Sequence, residues 1–158
     1  MTFWTPEFLA GERAPAILWA REGQLARSHR PGYPSSRPTH DHVDRWVQAA
    51  VGLGIRSIVC LLEPAELQLY DSLDLGEGGL LSCYRRAGLA VSHIPVADYR
   101  IPPLAEPEET AVWEAFQRME KPVLVQCSAG RDRTGAAVQA ILQRVDGRPC
   151  APGGSRTP

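Results

Sequence analysis

Between residues 43 and 51, apolar side chains fall at Val43, Trp46, Val47, Ala50 and Val51, the spacing of a helix with one buried stripe. Thr39 stands ahead of it as an N-cap, Asp41 puts negative charge in the first turn, and Gly52 and Gly54 stop it. At residues 55–62 the pattern changes. Ile55, Ile58, Val59, Leu61 and Leu62 make a mostly apolar run, as expected of a parallel strand covered on both faces. Short apolar runs then alternate with helical stripes. Pro64 opens a short helix reaching Tyr70, and a glycine-rich stretch at 76–79 leads into a helix over 80–87 ended by Gly88. Residues 89–95 form the next strand. A proline-bearing loop at 98–107 precedes a helix opened by Pro107, with Val112, Ala115, Phe116 and Met119 on one face. A strand at 122–126, a loop at Cys127 and a helix over 134–145 close the series.

Ahead of these elements, residues 16–20 and 24–28 flank Arg21-Glu22-Gly23 and predict a hairpin. Residues 30–38, with Pro31, Gly32, Pro34 and Pro38, form a loop by composition. Strands alternating with helices predict an α/β fold: a central, mostly parallel sheet flanked by helices, with the site at the carboxyl ends of the strands. One domain is expected over residues 1–145, followed by a disordered Pro/Gly-rich tail at 146–158. The helix over 134–145 is apolar nearly all round, with Gln139, Gln143 and Arg144 as a narrow polar stripe. It calls for cover on most of its surface, and no later helix supplies it, so a shortened C-terminal helical part is expected.

Composition narrows the function classes. A chain of 158 residues, 44% hydrophobic and 22% charged, suits one soluble globular domain. A formal net charge of -1 gives no electrostatic reason to bind nucleic acid. No run approaches the roughly 18 apolar residues of a membrane span, and the N-terminus lacks the pattern of a signal peptide. Cys60, Cys83, Cys127 and Cys150 are scattered and show no metal-ligand pairing, which fits reduced thiols and a cytoplasmic location. His40, Asp41, His42 and Asp44 read as the polar start of a helix rather than a metal site. Trp46, Trp113 and Phe116 read as core, His93 as structural, and Cys60 as a buried strand residue rather than a disulfide partner of Cys127. No metal or cofactor is expected.

The chemistry concentrates at residues 126–135, Q-C-S-A-G-R-D-R-T-G. Cys127 is followed by five residues and then Arg133, in a strand–loop–helix context. Backbone N–H groups of Ser128, Ala129, Gly130, Arg131, Asp132 and Arg133 would converge on one point that the helix dipole also faces, which makes a phosphate cradle. A free cysteine titrates near ~8.5, and helix N-termini with nearby cations bring such thiols to roughly 3.5–7.5. The expected reaction is attack by a cysteine thiolate on phosphorus, with Arg133 and the loop amides holding the equatorial oxygens. Thr134 is placed to give the thiolate a hydroxyl hydrogen bond. A carboxylic acid must protonate the leaving group. Asp98, on the loop after the strand 89–95, is the first candidate, and Asp132 within the cradle is the second.

These residues resemble the protein tyrosine phosphatase superfamily, on its small dual-specificity side. The resemblance rests on C-S-A-G-R-D-R-T-G at 127–135 and V-A-D-Y-R at 96–100, supported by Ala26-Arg27-Ser28 and by 54–59, and it spans about residues 24–145. It implies that Cys127 is the nucleophile of a phosphocysteine mechanism, Arg133 the phosphate-binding arginine, Thr134 the assisting hydroxyl and Asp98 the general acid. The implied partners are phosphotyrosine or phosphoserine/threonine proteins. The pair Arg131-Asp132 is similar to loops of phosphoinositide and broad-specificity phosphatases, which keeps a lipid or small phosphate ester open and Asp132 in play as acid. Position 126 departs from the family, with Gln126 where a histidine is usual. Together with the shortened C-terminus, this leaves a catalytically weak phosphate-binding module as an alternative.

Overall fold

The structure is a computed structural model, and it describes residues 16–147. Most of the expected tail and Cys150 lie outside the described residues. Five strands form one sheet in the order β1-β2-β5-β3-β4: β1 (Ile17–Arg21), β2 (Leu25–Ser28), β3 (Ser57–Cys60), β4 (Ala90–His93) and β5 (Val123–Gln126). The expected hairpin supplies the antiparallel pair β1–β2, and every other pairing is parallel. The α/β class read from the alternation of patterns is the one that forms.

Successive residues of the central strands feed opposite layers. Val123 and Val125 face the layer of α4 (Glu106–Arg118) and α5 (Asp132–Val145), where Val112, Ala115, Phe116, Ala137, Val138 and Ile141 pack. Leu124, Ile58 and Cys60 face α1 (His40–Gly52) and α3 (Gly79–Arg86), against Val43, Trp46, Ala50, Leu80 and Tyr84. Between β3 and α3 lie α2 (Pro64–Leu67) and a 3-10 turn (Gln68–Tyr70). Among the described residues no helix is long and apolar enough to cross a membrane.

Three local differences have physical causes. The ladder of β3 is shorter than the apolar run at 55–62, because burial continues past the paired residues: Ile55, Leu61 and Leu62 are buried beside it. Helix α5 begins at Asp132, two residues before the expected start at 134, so Arg133 and Thr134 lie on its first turn. Its apolar surface finds cover from the sheet and α4; Ala136 and Leu142 pack partly buried against that core, and only its last turn shows Val145 at 41% exposure. At α1, Thr39 caps as expected, and its partner is His42. The His42 N–H donates to Thr39 Oγ1 at 3.2 Å, and the Thr39 N–H donates to His42 Nδ1 at 3.0 Å. That bond gives His42 a capping role.

Candidate active site

Because β2, β3, β4 and β5 run parallel, their carboxyl ends share one edge of the sheet. Four segments meet there: 28–30 after β2, 61–66 after β3, 96–98 after β4 and the loop from Cys127 after β5. Such an edge is where open α/β sheets bind ligands.

Cys127 is 2% exposed, and the Gly130 N–H donates to its Sγ at 3.2 Å. The loop turns through Gly130 at φ +74°. A Cβ there would lie 2.6 Å from the Ser28 carbonyl carbon and 2.8 Å from the His29 nitrogen, so only glycine lets the loop approach the end of β2 so closely. Arg27 braces the outside of the turn, donating to the Gly130 carbonyl at 3.0 Å.

Arg133 is 2% exposed and directed by two segments, 61–66 and 96–98. Nη1 and Nη2 donate to Glu66 Oε1 and Oε2 at 2.9 and 2.8 Å, Nη1 also to the Val96 carbonyl at 2.9 Å, and Nη2 to Asp98 Oδ2 at 3.2 Å. Its Nε is buried and has no hydrogen-bond partner. Burial works against the guanidinium charge, but the Glu66 bonds and the charges of Glu66, Cys127 and Asp98 outweigh it and raise its pKa above the ordinary arginine value. Partial burial alone would raise the Glu66 carboxyl. The Arg133 bonds, the Glu63 backbone N–H and the charges of Arg133 and Arg30 reverse that and hold it below its usual range.

Asp98 therefore sits beside the arginine of the cradle, and its Oδ1 accepts from the Tyr99 N–H at 2.9 Å. Asp132 makes no such contact with Arg133: it is exposed on the first turn of α5, and Arg131 is exposed at the cap. Ser128 is gripped by Arg30, whose backbone N–H donates to its carbonyl at 3.0 Å. Thr134 is buried with Oγ1 unpartnered, a donor still free for an anion at the loop. Gln126 is buried on the α3 side of the sheet, where Oε1 accepts from the Tyr84 hydroxyl at 2.9 Å and Nε2 has no partner. Burial raises the Tyr84 pKa well above its usual value and pushes Cys60 up to about 12, so both remain protonated.

The edge thus brings together Cys127, Gly130, Arg133, Thr134 and Asp98, and leaves Asp132 and Arg131 at its exposed rim. Sequence reasoning missed Glu66 and Arg30. Glu66 carried a usable signal, since a carboxylate three residues after the N-cap position of a helix that follows a parallel strand lies at this edge. The arrangement places a sulfur at its floor, a forked cation at one wall and a carboxylate beside it, groups that can together meet an oxyanion. Among the described residues no group of His, Cys, Asp or Glu is arranged to hold a metal ion.

A family model described as "Tc-R-P: Polymorphic toxin system, DSP-PTPase phosphatase" matches residues 33–146. None of the curated proteins matches significantly. Among solved structures, the chain is similar to Tk-PTP in its active form, at 20% identity and a TM-score of 0.58 over 87% of this chain and 78% of that one. It is similar to kinase associated phosphatase with its catalytic cysteine changed to serine, at 18% identity and 0.62 over 85% and 76%. The core catalytic domain of PP-IP phosphatase SIW14 from S. cerevisiae aligns at 16% identity and 0.55 over 82% and 66%. At these identities the structural likeness speaks for the fold alone.

Proposed function

The chain belongs to the DSP-PTPase phosphatase family of polymorphic toxin systems, and from that premise we propose that it hydrolyses phosphomonoesters through a phosphocysteine formed on Cys127. In the first step Sγ attacks phosphorus, the bond from phosphorus to the ester oxygen breaks, and Asp98 gives that oxygen a proton. Arg133 and the loop N–H groups hold the equatorial oxygens while charge builds on them. In the second step water attacks phosphorus, the P–S bond breaks, and Asp98 takes the proton from the water. The cycle returns Cys127 as thiolate and Asp98 as acid.

The observation that carries this reading is the state of Arg133. A buried guanidinium is aimed by Glu66 and Val96, touches the candidate acid Asp98, and keeps one buried donor, Nε, without a partner. A buried unpartnered donor is costly, and a phosphate oxygen in the cradle would satisfy it.

Phosphorylated proteins are the proposed substrates, and the free thiols of Cys60, Cys83 and Cys127 suit work in a reducing compartment such as the cytoplasm. A second reading, a phosphoinositide or small phosphate ester, is favoured by one feature, the exposed Arg131 at the rim, where it would meet additional phosphates. Steady-state hydrolysis of p-nitrophenyl phosphate with chelator present tests the enzyme reading, and a panel of phosphotyrosine peptide, phosphoserine peptide and phosphoinositide decides the substrate. Chelator-resistant turnover that Cys127→Ser removes supports the mechanism. No turnover by the folded parent on any of these would overturn it.

A further inference from the structure

Arg30, on the segment after β2, is only 4% exposed. Its guanidinium bonds to neutral acceptors: Nε donates to Ser128 Oγ at 3.3 Å, Nη2 to the Ser35 carbonyl at 2.9 Å and Nη1 to the Tyr70 hydroxyl at 3.4 Å. The Tyr33 ring lies 5.5 Å from it. Its backbone N–H holds the Ser128 carbonyl, so main chain and side chain grip the same residue of the cradle. The Tyr70 hydroxyl is itself committed to the Pro31 carbonyl at 2.5 Å, and burial pushes its pKa up to about 12, so it supplies no counter-charge.

Among the described residues Arg30 forms no ion pair, whereas Arg133 forms two. Glu66 feels the Arg30 charge, but both of its oxygens already hold Arg133. A buried cation without a paired anion is expensive, and an anion bound in the adjoining loop would offset that cost. The adjoining loop is where the thiolate and the phosphoryl oxygens of the proposed reaction would stand.

We propose that Arg30 is a positioning residue of the phosphoryl site, which fixes Ser128 in the cradle and whose positive charge is balanced by the anion bound over Cys127. This rests on the reading of that cradle as a phosphate site, and it adds a second buried cation, outside the C-S-A-G-R-D-R sequence, to Arg133 within it. A loop-bracing role alone would be filled by any side chain that keeps the 28–35 segment packed. A charge role discriminates between anionic and neutral reagents.

The test is alkylation of Cys127 by iodoacetate and by iodoacetamide, followed by mass spectrometry, with Cys127→Ser as background. The ratio of the two rates cancels changes in sulfur accessibility and reactivity. In Arg30→Met the ratio should fall about fivefold, as expected for removing one charge at short range in a partly screened site, and Arg30→Lys should restore it to within about twofold of the parent. A ratio in Arg30→Met within about twofold of the parent, with both rates changed alike, would overturn the proposal, as would an Arg30→Lys ratio as low as that of Arg30→Met. If Arg30→Met does not fold, Arg30→Gln carries the same expectation. Alkylation requires no turnover, so an inactive parent would count against the phosphatase reading while the ratio still decides the role of Arg30.

Discussion

Arg133 and Glu66 meet fork to fork, with Nη1 and Nη2 at 2.9 and 2.8 Å from the two oxygens of one carboxylate. The pair joins the first turn of α5 to α2, two elements far apart in sequence, and it fixes the plane of the guanidinium at the carboxyl edge of the sheet. Bidentate pairs of this kind add geometric definition as well as energy. Here the definition leaves Nε, rather than the two terminal nitrogens, without a protein partner.

Glu66→Gln should therefore damage catalysis more than folding. The amide can still pack and accept one hydrogen bond, but it cannot hold both nitrogens of the fork. A misaimed arginine should lower kcat/KM for p-nitrophenyl phosphate by about tenfold to a hundredfold. The stability loss should be about 1–3 kcal/mol, since Val96 and Asp98 retain part of the network. Steady-state kinetics and a denaturant melt check both; an unchanged kcat/KM would show that Glu66 does not aim the arginine.

The two candidate acids separate by leaving group. A p-nitrophenolate departs without a proton, whereas the alkoxide of phosphoserine needs one. Asp98→Asn should cut kcat on a phosphoserine peptide by about a hundredfold or more and on p-nitrophenyl phosphate by much less. Asp132→Asn, at the exposed start of α5, should have a small effect on both. The reverse pattern would move the acid role to Asp132.

His29 should make the fold acid-sensitive. Burial is the main cause that lowers its pKa below 6.5; the neighbouring Arg30 charge adds to this, and its bond to the Arg30 carbonyl opposes it. Nδ1 lies 2.7 Å from that carbonyl and Nε2 accepts the Ala16 N–H at 3.0 Å, an arrangement that suits one neutral tautomer. The folded state then binds fewer protons than the unfolded one. Stability from this group is present above the ordinary value of 6.5 and is lost as pH falls through the folded-state value. Glu66, also depressed, adds a similar loss only below its ordinary 4.5. Tm should fall as pH drops below 6.5, in the window above the ordinary 4.5 of Glu66, and His29→Gln should flatten that slope. A parent Tm that is level across this window would contradict the assignment.

Much of the fold could be read from the pattern of apolar residues, because each element buries one. The stripe at Val43, Trp46 and Ala50 and the runs at 55–62 and 122–126 correspond to real layers and strands. Element ends were less legible. The first turn of α5 holds Asp132, Arg133 and Thr134, none of them apolar, so the pattern began only at the alanines. The cradle itself was visible as Cys127, Gly130 and Arg133, since its residues are contiguous. Glu66 was legible only as a carboxylate near the start of a helix at this edge, and Arg30 not at all, because their pairing with Arg133 and Ser128 is long-range and no local spacing encodes it. Gln126 shows a third case: the departure from the family pattern was legible, but its pairing with Tyr84 of α3 was not.

The central claim is that phosphate passes through Cys127, and acid quench of the protein while it turns over p-nitrophenyl phosphate, followed by peptide mapping by mass spectrometry, tests it most directly. The account predicts one phosphoryl group on Cys127, present in larger amount in Asp98→Asn, where hydrolysis of the intermediate lacks its base, and absent in Cys127→Ser, which should not turn over. Turnover with no phosphoryl group on Cys127 in either protein, or turnover by Cys127→Ser at the parent rate, would contradict it.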